Sequence, residues 1–203
     1  MQSGRAPAQA RTHKEDVVTV ADKTGTTQRE GELLTAHSHA ELTARTEPVS
    51  NYTVSFRVDQ NPKEVFDAIN DIRGWWGEDV QGSSQSVGDE FTYRVQDVHY
   101  SKLRVTELVP NEKVAWLVLE NHMNFVEDQA EWVGTTICFE ISRQNGQTEV
   151  LFTHIGLQSQ FECFDVCSDA WGSLMRTSLP SLITTGSGMP YAKAGVRPGD
   201  SVD

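Results

Sequence analysis

Phe161-Glu-Cys-Phe-Asp-Val-Cys-Ser-Asp-Ala-Trp-Gly-Ser-Leu-Met-Arg-Thr-Ser-Leu-Pro-Ser-Leu-Ile-Thr184 is the stretch whose reading decides the fold. On a helical wheel at about 100° per residue, Phe161, Phe164, Ser168, Trp171, Met175, Leu179 and Leu182 share one face. Glu162, Asp169, Ser173, Arg176 and Thr177 lie roughly opposite. Apolar positions recurring at threes and fours predict one long amphipathic helix. Gly186 stands where a left-handed cap belongs, and Pro190 follows it. Pro180 breaks the pattern: inside a helix it costs about 3 kcal/mol, so a bend, or a separate last turn after Ser178, is expected there.

A helix of that length needs a broad surface to lie on, and the chain upstream supplies strands. Tyr52, Val54, Phe56 and Val58 alternate with polar residues, as a half-buried strand does. Asn61-Pro62-Lys63-Glu64 has the spacing of a capping box, with proline in the first helical turn. Val65, Phe66 and Ile69 give that short helix its apolar stripe, and a second short turn is expected over Asp71–Trp76. Five strands are expected next: Phe91–Val95, Leu103–Val109, Val114–Leu119, Trp132–Ile141 and Thr148–Leu157. Asn145-Gly146 predicts a tight hairpin between the last two. The list predicts an α+β fold, a curved antiparallel sheet of about six strands wrapped on one long C-terminal helix.

Composition narrows the possible partners. All the aromatic residues, 5 Trp, 4 Tyr and 8 Phe, lie between Tyr52 and Tyr191. Residues 1–48 are rich in Ala, Thr, Gln, Glu and Arg and are expected to form a disordered extension. The folded domain is expected over 49–188, with a flexible tail over 189–203. The formal net charge of −12 argues against nucleic acid or an anionic membrane as a partner. Three cysteines, Cys138, Cys163 and Cys167, suit a reduced cytoplasmic protein better than a disulfide scaffold.

Several residues invite a chemical reading. Trp75-Trp76 offers large semi-rigid rings, one of which is expected at a cavity mouth. Glu107 is in strand phase with Leu103 and Val105, which predicts an inward carboxylate. Such a group would have a raised pKa and could serve as an acid. His154 shares phase with Val150 and Phe152 and could pair with it. Cys163 and Cys167 are one helical turn apart, but no C-x-x-C pair and no third ligand accompany them, so no metal is expected. P-loop, dinucleotide and nucleophile-elbow motifs are missing, and no cofactor is expected.

Phe56-Arg-Val-Asp-Gln-Asn-Pro-Lys-Glu-Val-Phe-Asp-Ala-Ile69, Trp75-Trp76, Val105-Thr-Glu-Leu-Val-Pro110, Trp132-Val-Gly-Thr-Thr136, Phe152-Thr-His154 and Glu162-Cys-Phe-Asp-Val-Cys-Ser168 resemble the SRPBCC superfamily. The nearest branch is the activator of heat-shock-protein-90 ATPase homologue-like family. The resemblance covers about residues 51–188 and implies a helix-grip fold with a hydrophobic cavity. It does not imply one activity. A carrier of a small apolar or amphipathic ligand is the leading expectation. Its candidate lining is Trp75, Trp76, Phe91, Tyr93, Glu107, Trp116, His154, Phe164 and Trp171. A cyclase or hydratase using Glu107 and His154 is one alternative. A co-chaperone domain that binds a chaperone or another protein is the other.

Overall fold

A computed structural model describes residues 51–192. The expectations for residues 1–48 and for the end of the tail lie outside the described residues. Strand β1 (Tyr52–Val58) leads into helix α1 (Pro62–Asn70) and the short helix α2 (Ile72–Trp75). Six strands follow: β2 (Val80–Gly82), β3 (Glu90–Val95), β4 (His99–Val109), β5 (Lys113–Met123), β6 (Thr136–Gln144) and β7 (Gln147–Ile155). The chain ends in a long helix of three parts, α3 (Phe164–Ser173), a π-helical turn (Leu174–Ser178) and α4 (Leu179–Thr185).

All seven strands join one curved antiparallel sheet in the order β1-β7-β6-β5-β4-β3-β2. The strand missing from the sequence reading is β2, three residues long on the sheet edge. Local chemistry sets several boundaries. The Asn61 side chain accepts from the Lys63 and Glu64 amides, while the Glu64 carboxylate accepts from the Asn61 amide at 2.9 Å, a complete capping box. Asn145 and Gly146 both adopt positive φ, 51° and 85°, which lets Gln144 face Gln147 across a two-residue turn.

Trp132 is not in a strand. It sits in the turn before β6, and Val133 beside it is exposed. Pairing with β5 begins only at Thr136, opposite Leu117.

The long helix lies with its apolar face on the core, but the face is not the one drawn on the ideal wheel. Cys163, Cys167, Trp171, Leu174, Met175, Leu179 and Ile183 are buried, whereas Phe161, Phe164 and Leu182 are only partly so. Two small thiols can lie close under the sheet where a phenylalanine ring cannot; the Cys167 thiol reaches the Met123 sulfur at 3.9 Å. Beyond Ser173 the π turn changes the phase. The Leu179 amide bonds the Leu174 carbonyl, five residues back, so one extra residue is taken up. Each residue adds about 100° of rotation. That brings Ile183 rather than Leu182 to the core. The same turn places Pro180 in the first turn of α4, where its missing amide costs little.

Five tryptophans fill the space between sheet and helix. Trp75, Trp76, Trp116, Trp132 and Trp171 are all buried. Trp76 stacks between Tyr93, with centroids 4.2 Å apart, and Trp116, at 6.1 Å. Trp132 stacks on Trp171 at 5.8 Å. This part of the grip is therefore a packed aromatic core, with open space at its mouth.

Candidate functional site: an aromatic pocket at the mouth of the grip

The pocket opens where the end of β3, the start of β4, the segment after α2 and the middle of α3 converge. It has a volume of about 210 Å³. Trp76, Tyr93, Trp132 and Trp171 form its inner walls. Val98, Phe125, Val166 and Tyr191 stand around its opening, and all four are exposed, Val166 to 59%. Large apolar side chains gathered in this way around a cavity make it the candidate binding site.

The C-terminal strand of this rim is held in place by backbone chemistry. Past Gly186 the chain returns along α2. The buried Ser178 hydroxyl donates to the Trp75 carbonyl at 2.7 Å and accepts from the Met189 amide at 2.8 Å. Tyr191 then forms a parallel bridge with Gly77, donating to the Trp76 carbonyl and accepting from the Glu78 amide, each at 3.0 Å. A Cβ at Gly77 would sit 2.6 Å from the Tyr93 ring, so only glycine lets this strap lie flat. The chain thus stays attached three residues past the boundary expected at 188.

Among the candidate lining residues, the pocket brings together Trp76, Tyr93 and Trp171. Trp75 and Trp116 are buried behind it in the aromatic stack. Phe164 is half-buried on the core's edge. Phe91 points toward a different cavity, a larger polar groove of about 490 Å³ beside α1 and β2.

Glu107 does not face inward. Val105 pairs with Trp116 and Glu107 with the next residue, Ala115, so β4 carries one extra residue, Thr106, in a β-bulge. The Thr106 hydroxyl bonds the Ala115 carbonyl at 3.2 Å. The bulge reverses the alternation, and Glu107 emerges on the outer face in an ion pair with Lys113 at 2.8 Å.

His154 is fully buried but fully occupied. The Trp171 indole N–H donates to Nδ1 at 3.1 Å. Nδ1 is therefore the acceptor, and the ring proton sits on Nε2, which donates to the Thr135 hydroxyl at 2.9 Å. Thr135 passes its own proton to the Trp132 carbonyl at 2.6 Å. Burial, with a smaller contribution from nearby His99, lowers the His154 pKa to about 3. The imidazole is neutral, has no carboxylate partner, and clamps the helix to the turn before β6. The proton-transfer pair expected from Glu107 and His154 is not assembled.

The sequence reading missed His99, Trp132 and Tyr191 as pocket residues. An aromatic residue alone beyond the helix cap, as Tyr191 is, was the available signal for the strap. Nearby, Cys163 and Cys167 lie side by side, and the hydrogen bond that the Cys163 thiol makes to Cys167, together with burial, keeps it protonated. Among the described residues no three His, Cys, Asp or Glu side chains cluster to hold a metal ion.

A family model described as activator of Hsp90 ATPase homolog 1-like protein matches residues 59–184, more than half of the chain. The chain belongs to this family. A search of curated proteins gives no match. Among solved structures, the Aha1 dimer of Colwellia psychrerythraea is similar, at 25% identity and TM-score 0.56, over 68% of this chain and 99% of that one. A Mesorhizobium loti protein has 13% identity and TM-score 0.52, over 68% of this chain and 99% of that one. DynU16, from the dynemicin biosynthetic locus, has 14% identity and TM-score 0.53, over 70% of this chain. This chain spans about half of DynU16, 51%. The two more distant likenesses show the shared fold. The family member's helix-grip architecture is thus established from both sequence and structure, and no helix among the described residues is long and apolar enough to cross a membrane.

Proposed function

We propose that this family member is a cytoplasmic, non-catalytic binding protein for a small apolar or amphipathic molecule, which it takes into the aromatic pocket. The observation that carries this reading is the lining: tryptophan and tyrosine walls, with four exposed apolar residues at the rim. Burying such surface yields roughly 25 cal/mol per Å², enough for micromolar affinity (about −8 kcal/mol) from a few hundred Å². The displaced Glu107 and the saturated His154 leave the enzyme alternative without its two residues.

The test is a titration followed by tryptophan fluorescence, with naphthalene as the probe. The wild-type chain is expected to show saturable quenching in the micromolar range. Ala170 lies on the pocket wall. Ala170→Phe should fill the space and weaken binding by at least about tenfold, which is 1.4 kcal/mol, with the thermal transition retained. Quenching that Ala170→Phe leaves unchanged would move the site elsewhere.

The likeness to the Colwellia Aha1 dimer favours a second reading, in which the apolar rim grips a protein partner such as a chaperone ATPase or a second copy. A measurable stimulation of an Hsp90-type ATPase, abolished by Val166→Asp, would support that reading over the small ligand.

A further inference from the structure

We infer that the pocket's ligand is a compact one- or two-ring molecule carrying a neutral carbonyl oxygen, which Tyr93 and His99 receive as hydrogen-bond donors. This rests on the aromatic pocket being the binding site. Size sets the first limit. A protein cavity of about 150 Å³ suffices for benzene. At about 210 Å³ this pocket has room for one or two rings, and not for an enclosed long acyl chain.

Polar groups set the second limit. The Tyr93 hydroxyl lies beside Tyr191 and Cys167, which also line the pocket, and its ring stacks on Trp76. The hydroxyl donates to no described residue, which leaves its proton to the pocket that Tyr93 lines. Burial raises its pKa well above 10, so the proton stays on. On the adjacent wall, the His99 ring meets Tyr93 edge to face at 5.6 Å. Its Nε2 lies 3.0 Å from the Asn121 amide nitrogen and 2.9 Å from the Ser101 hydroxyl. The amide nitrogen can only donate, so Nε2 accepts and Nδ1 carries the proton. Burial lowers the His99 pKa to about 4, which keeps the ring a neutral donor.

The charge of the ligand follows. Among the described residues no lysine or arginine lines the pocket. A carboxylate would lose its water without gaining a cation, on a chain of net charge −12. A neutral carbonyl costs far less to desolvate and takes one or both free protons.

The experiment compares three probes on the full chain by calorimetry: 1-acetonaphthone, the similarly shaped 1-ethylnaphthalene, and dodecanoate. The ketone should bind roughly five- to tenfold tighter than the hydrocarbon, with dodecanoate weakest. Tyr93→Phe and His99→Leu should each lower the ratio of ketone to ethylnaphthalene affinity. Equal binding of ketone and hydrocarbon to the wild type would overturn the donor assignment and leave the pocket standing. Tightest binding of dodecanoate would overturn the ligand class. Failure of all three to bind would overturn the pocket itself as the site. The wild-type comparison decides the matter even where a variant does not fold.

Discussion

β3 contributes one inward ring to each of two cavities, Phe91 to the polar groove and Tyr93 to the aromatic pocket. The groove is more than twice as large, about 490 against 210 Å³. Yet much of its lining is polar and open to water: Asp67, Asp71, Arg73, Ser83 and Gln85 are exposed. Some of the groove's polar contacts are already made, with Arg73 on the Val80 carbonyl and Gln85 on the Asn70 carbonyl, while the buried Asn70 Oδ1 has no partner. In the pocket, by contrast, rings meet an exposed apolar rim. A ligand entering the groove would replace water with equivalent contacts. One entering the pocket would remove apolar surface from water, which is the larger gain. Lining, not volume, therefore distinguishes the two.

The largest effect should come from Trp171, which is both a pocket wall and the donor to His154. Trp171→Ala removes a buried ring at a cost of about 3–5 kcal/mol and leaves the His154 acceptor unpaired. Chemical denaturation should show loss of a large part of the domain's stability. Arg73→Ala, on the groove, should change stability by less than about 0.5 kcal/mol. Similar losses from both would erase the distinction.

Acid should act on the same side of the molecule. His154 titrates near 6.5 in an unfolded chain but at about 3 when folded. Its neutral form is thus the one that folding favours. Its contribution is fully present above pH 6.5 and is lost as pH falls toward 3, at up to about 1.4 kcal/mol per pH unit. His99, lowered to about 4, acts in the same direction. Between pH 6.5 and 5 the His154 contribution alone should fall by about 2 kcal/mol. His154→Gln, less stable at neutral pH, should show a flatter pH dependence in thermal melts; an unchanged slope would mean that His154 is not the titrating group.

The smallest effect belongs to Glu107. Its partner Lys113 lies with it on the outer sheet face. Glu107→Gln should cost no more than about 1 kcal/mol and leave naphthalene affinity within twofold. A marked loss of binding would return this carboxylate to the cavity.

Much of the fold was legible because its signals are local. Asn61 and Glu64 cap one helix, Asn145-Gly146 closes one hairpin, and Pro180 announced an irregularity in the long helix. The site was less legible because its determinants are not local. Nothing in the sequence around Thr106 marks a bulge; it arises from how β4 pairs with β5, and a single extra residue turns Glu107 from the core to solvent. The ideal wheel likewise favoured Phe164 over Cys163 and Cys167. Burial there depends on the close approach of helix to sheet, which hydrophobicity alone does not report. Trp132 and Tyr191 reach the pocket from a turn and from a strap, where no periodicity exists to read.

The claim that a ligand enters the aromatic pocket rather than the polar groove is tested most directly by nitrogen-resolved NMR during a naphthalene titration. The indole N–H signals of Trp76, Trp132 and Trp171 should shift in a saturable way, while the side-chain amides of Asn70 and Gln85 stay in place. Shifts confined to Asn70 and Gln85, with the three indoles unmoved, would contradict it.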